Sequence, residues 1–309
     1  MSLFAIKNNK LDRIKQTTFK LERDIQKLTE ENLQIIFNLQ FVKSEFALNG
    51  LRIDSLAYDT ENSCFVIIEY KRDQNFSVID QGYAYLSLML NNKADFILEY
   101  NENCNKNLKK DNVDWSQSRV IFISPAFSKY QQQAINFKDL PIELWEVSNY
   151  ENGLVQYTRL KSSETSESIR KISKKSEVVE KVSEEVKVYT EEDFLSDCPE
   201  EIKELYYELK SKILSLNNAI EVIPKKLYIA FKSQSNFIDI RPQKKQIKLW
   251  LNLSKDQLDD PKQIAKLMLK ESGEKKGHWG NGDYEIHLST SDELPYLLTL
   301  IKQSYEKNS

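Results

Sequence analysis

This sequence predicts an α/β protein in two parts: a mixed sheet flanked by helices in the first half, and a second, small α/β (α+β) domain in the last third. Three observations lead there. Along residues 1–160, runs with a period of two alternate with runs of period near 3.6, the pattern of strands and helices layered on one another. Between Lys161 and Val188 the composition turns to Ser, Glu, Lys and Val with no aromatic residue, too little apolar surface for a packed unit. Apolar patterning then resumes from Tyr189 to Ser309.

In chain order, Leu3 to Ile6 is a short strand-like run followed by a polar stretch. From about Phe19 to Asn38, Leu21, Ile25, Leu28, Leu33, Ile35 and Ile36 share one stripe at 100° per residue, which predicts a long helix packed on a sheet. Phe41 to Leu48 alternates, and Asn49-Gly50 closes a hairpin into an alternating strand from Leu51 to Tyr58. A turn at Asp59 to Ser63 leads to Cys64–Lys71, whose β-branched centre predicts a fully buried strand. A helix opens near Ser77 and runs through Leu90; Ala94 to Tyr100 reads as a strand and Asn101 to Trp115 as a polar loop. Arg119–Ser124 is a β-branched strand, Tyr130–Phe137 a helix and Ile142–Val147 a last strand. The segment from 161 to 188 reads as a flexible charged linker with an end-to-end distance of roughly 30 Å, although Val178, Val179, Val182 and Val186 keep helical spacing that admits a docking helix. Beyond it, Leu205–Leu216 reads as an amphipathic helix, Lys226–Phe231, Phe237–Ile240 and Ile247–Leu253 as strands, Gln263–Leu269 as a helix, Tyr284–Leu288 as a strand and Leu294–Tyr305 as the closing helix. Four of the seven glycines fall between Gly273 and Gly282, around His278 and Trp279. That predicts a loop whose backbone comes close to something.

Composition narrows the function classes. The 309 residues hold 44 basic and 47 acidic side chains, net −3, so no global positive field advertises nucleic acid, although a local basic rim is compatible. The three cysteines, Cys64, Cys104 and Cys198, have neither disulfide nor zinc spacing. His278 and His287 are the only histidines, which argues against zinc. No signal core or membrane-length apolar run is present, and a cytoplasmic protein is expected.

The chemistry concentrates between Leu51 and Gln81. Glu69 and Lys71 end an apolar strand and, two apart, project from one face. Burying such charges is costly unless they pair with each other or with a metal. Asp54, on the preceding strand, supplies a second carboxylate. Two carboxylates meeting at adjacent strand ends make an oxygen-rich pocket suited to Mg²⁺ or Mn²⁺, and a nearby lysine would orient or activate a water.

Arg-Ile-Asp54, Glu69-Tyr-Lys71 and the helix carrying Gln81, Tyr83, Tyr85 and Leu86 together resemble the PD-(D/E)XK nuclease superfamily, in its RecB-like and NucS-like branches. The sequence departs from that pattern at one point: a proline commonly precedes this Asp in the superfamily, and none precedes Asp54. The resemblance implies a restriction-endonuclease-like fold and an endonuclease hydrolysing DNA with Mg²⁺ or Mn²⁺. It further implies that Glu22, Asp54 and Glu69 hold the metal, that Lys71 positions the water and that Gln81 orients water or the DNA backbone. Glu31 stands in reserve for Glu22: nine residues apart, the two lie on opposite flanks of the apolar stripe, so at most one faces the metal. Lys43, Arg52 and Arg72 are candidate phosphate contacts. The alternative is a nuclease fold without activity, serving as a nucleic-acid or protein-binding module.

The last third is similar to a small bacterial domain of unknown function found in chains catalogued as predicted transport proteins, through KLYIAFK, Pro242 to Lys245, GHWG and QSYE. It brings no established activity. Lys225, Lys226, Lys232, Arg241, Lys244, Lys245 and Lys248, interleaved with Tyr228, Phe231, Phe237 and Trp250, are compatible with a basic, aromatic sheet face that holds a nucleic-acid backbone, or with a solvated lysine face over an ordinary core. A homodimer, or a protein partner met through this domain, is compatible with the same organisation.

Overall fold

The computed structural model describes residues 3–72, 76–137, 139–161, 177–269 and 281–309. The chain forms two compact units, Met1–Val188 and Tyr189–Ser309.

The first unit opens with a hairpin of β1 (Leu3–Lys7) and β2 (Lys10–Ile14), then β3 (Gln16–Thr17), α1 (Glu22–Glu30) and α2 (Leu33–Phe37). The single long helix expected over 19–38 is therefore two. At Asn32 the backbone leaves helical geometry (φ −129°, ψ 16°) and the side-chain amide donates to the Leu28 carbonyl at 2.8 Å, the local competition that makes Asn a poor interior helix residue. The break changes the buried stripe: Ile25, Leu33 and Phe37 are buried, whereas Leu21 is exposed and Ile35 is 86% exposed.

Next come β4 (Gln40–Leu48), β5 (Leu51–Asp59) and β6 (Cys64–Tyr70) as an antiparallel meander. Asn49 and Gly50 turn the first hairpin with φ of 48° and 80°, the doubly left-handed turn that matches strand twist. All seven residues of β6 are buried. Then follow α3 (Val78–Asn91), α4 (Lys93–Cys104), β7 (Arg119–Ser124), α5 (Lys129–Ala134), β8 (Ile142–Tyr150) and β9 (Leu154–Leu160). The sheet runs β3-β8-β7-β6-β5-β4, with β9 beside β8; β6, β7 and β8 are mutually parallel. The expected mixed sheet flanked by helices is the fold observed.

Two local expectations fail for identifiable reasons. Ala94–Tyr100 belongs to helix α4 and is not a strand: Phe96 and Tyr100, four apart, are buried while Leu98 is 55% exposed, a period of 3.6 and not of two. Strand β9 escapes the sequence pattern, because Leu154 and Val155 are exposed and give no half-buried alternation.

Residues 162–176 of the expected tether lie outside the described residues. Its later part forms α6 (Glu177–Glu185), with Val182 and Val186 buried in the same core as α3. Lys93 pairs with Glu185, and the Lys187 N–H donates to the Ser116 carbonyl at 2.8 Å. A nine-residue helix is marginal alone, but burying two valines contributes about 3 kcal/mol or more. Docking orders it.

The second unit contains α7 (Glu192–Leu195), α8 (Glu200–Leu214), β10 (Glu221–Pro224), β11 (Ile229–Lys232), β12 (Asn236–Pro242), β13 (Ile247–Leu251), β14 (Lys266–Leu267), β15 (Tyr284–Leu288) and α9 (Leu294–Asn308). Its sheet is antiparallel, in the order β10-β11-β12-β13-β15-β14, and one face shares a core with α8 and α9. The helix expected over 263–269 is absent: Gln263 is left-handed (φ 55°) and Lys266–Leu267 pairs with β15. Most of the glycine-rich loop, with His278 and Trp279, lies outside the described residues. Gly282 shows the expected close approach, for a Cβ there would lie 1.9 Å from the Leu251 carbonyl oxygen. Among the described residues, no helix is long and apolar enough to cross a membrane.

Candidate active site

The β5–β6 ladder pairs residues from Asp59↔Cys64 to Ser55↔Ile68 and ends there. Immediately beyond, side chains take over the hydrogen bonding. The Asp54 N–H donates to Glu69 Oε1 at 3.1 Å, and the Tyr70 N–H donates to Asp54 Oδ2 at 3.0 Å. Each carboxylate thus satisfies a backbone donor of the neighbouring strand, which holds both acids at the point where the strands part. Lys71 continues on the other side of β6, its N–H donating to the Ile123 carbonyl at 2.9 Å, while its Nζ reaches Glu69 Oε2 at 3.1 Å.

Asp54, Glu69 and Lys71 are therefore brought together. Asp54 is half-buried and Glu69 is 1% exposed. Burial, followed by the negative charge of Asp54, pushes the Glu69 carboxyl up to about 7, with Lys71 only partly offsetting it. Burial likewise raises Asp54, against the Tyr70 hydrogen bond and Lys71, with Glu45 adding repulsion. Two acids and one ammonium leave an excess of negative charge in a poorly solvated place.

Gln81 and Tyr85, one turn apart on α3, close the site from the helix side. Gln81 Nε2 donates to the Tyr85 hydroxyl at 3.2 Å, and that hydroxyl donates to the Arg52 carbonyl at 3.1 Å. Burial first, then the charge of Glu69, raises the Tyr85 phenol, so it remains a neutral donor. Gln81 thus reaches the acids through Tyr85, a residue whose site role was readable only from its i, i+4 spacing to Gln81.

The other expected residues go elsewhere. Glu22 Oε2 accepts the Arg72 N–H at 2.8 Å, so it braces the chain just after Lys71. Among the described residues no group of three His, Cys, Asp or Glu is placed to hold a metal, and Glu22 does not complete a ligand set with Asp54 and Glu69 in this geometry. Glu31 pairs with Lys27 on the helix surface. Arg72 Nη1 donates to the Lys20 carbonyl, Lys43 pairs with Glu99 at 2.7 Å, and Arg52 pairs with Glu45 at 2.9 Å. Sequence reasoning missed the polar face of α1 that does approach the site: Gln26 Nε2 donates to the Asp54 carbonyl at 3.1 Å and Glu30 accepts from the Ser55 hydroxyl at 2.5 Å. Nor did any signal mark Glu45, which is left-handed (φ 54°) within β4. Beside α3, a cleft of about 600 Å³ runs between the hairpin tip at Asn49 and Leu51 and helix α6 at Val178 and Val179.

Residues 191–308 match the family described as a domain of unknown function, DUF5655. A protein of Haemophilus influenzae (strain ATCC 51907 / DSM 11121 / KW20 / Rd), described as uncharacterized, is 49% identical over 304 residues, spanning 98% of this chain and 99% of its own. This chain belongs to the family of that protein. The shared span takes in both units. Among solved structures, a repair endonuclease from Pyrococcus abyssi is 16% identical at a TM-score of 0.22, covering 38% of this chain and 44% of its own. EndoMS in its apo form is 17% identical at a TM-score of 0.26, covering 40% and 44%. SfsA of Pyrococcus furiosus, in complex with Ca²⁺, is 12% identical at a TM-score of 0.26, covering 50% and 78%.

Proposed function

We propose that the first unit is a Mg²⁺- or Mn²⁺-dependent endonuclease that hydrolyses DNA phosphodiesters. The observation that carries this reading is the pair of carboxyls, Asp54 and Glu69, held together by each other's strand and both pushed upward, with the Lys71 ammonium 3.1 Å from Glu69. The donor set fits a hard dication: it is all oxygen, carries excess negative charge, and would be relieved of its repulsion by a bound divalent ion. Bound there, the ion would polarise the phosphate and acidify a water. Asp54 and Glu69 would be its ligands, with Glu22 bracing the strand end through Arg72.

Lys71 would hold the attacking water or a non-bridging phosphate oxygen, where its charge opposes the negative charge that develops in the transition state. Tyr85, kept neutral, would hold the β5 backbone at Arg52 in place, and Gln81 would fix the Tyr85 hydroxyl while lining the approach. Arg52, two residues before Asp54, and Arg72, next after Lys71, are the cations nearest in the chain to the site; Arg52 would exchange Glu45 for a phosphate. DNA is the substrate class that the superfamily resemblance implies.

The test is cleavage of plasmid, single-stranded and branched DNA in Mg²⁺ and in Mn²⁺ by wild type, Asp54→Ala and Lys71→Ala. Metal-dependent cutting, lost in both variants, is the expected result. Tight DNA binding by a wild type that cuts none of these substrates would instead identify an inactive binding module.

A further inference from the structure

One end of the second unit's sheet carries a cluster of cations. Between Lys225 and Lys248 the chain carries seven Lys or Arg and a single acid, Asp239; six of the seven lie at or just below this end, and Lys232 closes β11 at the other. The antiparallel order β10-β11-β12-β13-β15 places the β10–β11 turn, the β12–β13 turn and the C-terminal end of β15 at the same edge. Each turn carries a lysine pair: Lys225 and Lys226 in one, Lys244 and Lys245 in the other. Lys226, Lys244 and Lys245 are exposed and Lys225 is half-exposed. Lys225, Lys244 and Lys245 have no ion-pair partner among the described residues.

Just below the turns, Arg241 lies opposite Lys248. Like charges in direct cross-strand register are destabilising. Glu285 offsets part of that cost, accepting from Lys248 Nζ at 3.5 Å and lying 2.8 Å from His287 Nε2, while Arg241 Nη1 donates to the Leu227 carbonyl at 2.6 Å. Of the other acids, Glu293 accepts from the Ser289 and Thr290 N–H groups just past β15, and Asp292 precedes it in the chain. Among the described residues, six Lys or Arg thus stand against Glu285, Asp292 and Glu293, so this end keeps a net positive charge in a chain whose total is −3.

We propose that this edge binds the sugar–phosphate backbone of nucleic acid without reading bases. The two lysine turns are about two strand spacings apart, roughly 10 Å, a span of about three phosphates at about 3.4 Å of axis each. Base stacking is not part of the surface, because Tyr228, Phe231, Phe237 and Trp250 are all buried. The choice of nucleic acid over another polyanion rests on the phosphodiesterase reading of the first unit, and the assay separates the two.

The full chain is titrated, with EDTA present to prevent cutting, against a fluorescein-labelled duplex of about 30 base pairs at about 50 to 300 mM KCl. Wild type is compared with the variant Lys225→Ser, Lys226→Ser, Lys244→Ser and Lys245→Ser, and with its Lys→Arg counterpart. The serine variant is expected to lose about tenfold or more in affinity, and its slope of log K on log salt to become shallower by about two to four. The arginine variant keeps both, and unchanged thermal melts exclude misfolding. Equal affinity and slope for the serine variant overturn the proposal, as does absence of duplex binding by wild type, or equal binding of poly-glutamate or phosphatidylserine vesicles. A wild type that binds through these lysines but cuts nothing in Mg²⁺ or Mn²⁺ removes the endonuclease and leaves the surface.

Discussion

Two buried glutamates, one in each unit, end with shifts of opposite sign. Glu69 is 1% exposed and its carboxyl is raised to about 7; Glu285 is 7% exposed and its carboxyl is lowered. Desolvation pushes both upward. At Glu285 hydrogen bonds from His287 and Trp250 and the charge of Lys248 outweigh it, whereas at Glu69 the neighbouring charge of Asp54 adds to it, and the Lys71 ammonium and the Asp54 N–H do not make up the difference. A ring of donors makes a buried acid a structural fixture. Crowding it with a second acid leaves a place for a cation.

The sharpest way to break this comparison is to remove each charge in turn. Glu69→Gln is expected to reduce metal-dependent cleavage by about 10³-fold or more, whereas Glu285→Gln leaves the chemical step intact; equal losses in single-turnover assays would erase the distinction. For stability the order reverses. Glu285→Ala strands the buried Trp250 N–H, which donates to it at 2.9 Å, and leaves the Lys248 ammonium without its carboxylate, at a cost of about 3 kcal/mol in urea unfolding. Glu69→Gln is expected to gain about 1–2 kcal/mol above pH 7, because it removes one of two repelling acids.

The pH dependence sharpens it further. The folded Glu69 carboxyl titrates above its ordinary 4.5, so the folded state holds a proton that the unfolded chain has released. Stability of the metal-free protein should therefore fall as pH rises from about 4.5 to 7, by up to about 3 kcal/mol, and level off beyond. Raised Asp54 acts with the same sign. Melting curves in EDTA would show it, Glu69→Gln should flatten it, and Mg²⁺ above pH 7 should raise the melting temperature of wild type far more than that of the variant. A smaller control is Glu31→Ala, whose surface pair with Lys27 should be worth less than about 0.5 kcal/mol.

Much of this site is readable from the chain alone, because its parts sit where strand periodicity is strongest. The β-branched run before Glu69 marks a buried strand, and the two-residue spacing of Glu69 and Lys71 puts them on one face. What is not readable depends on partners distant in sequence. Glu22 and Gln26 share a face of α1, yet only packing shows that Gln26 meets the Asp54 carbonyl and Glu22 the Arg72 N–H. The break at Asn32 hides in an apolar stripe that continues across it. The basic edge of the second unit is half legible: the lysines are visible, but the aromatic residues between them fill the core, and only the strand order shows that two separate lysine pairs share an end.

The docked helix α6 has a practical bearing on how the first unit is isolated. A fragment ending at Leu160 would strip Val182 and Val186 from the core they share with α3, remove one wall of the cleft beside that helix, and offer bare apolar surface to aggregation. A fragment running to Val188 keeps its own covering, and is the piece in which loss of activity can be ascribed to chemistry and not to a damaged fold.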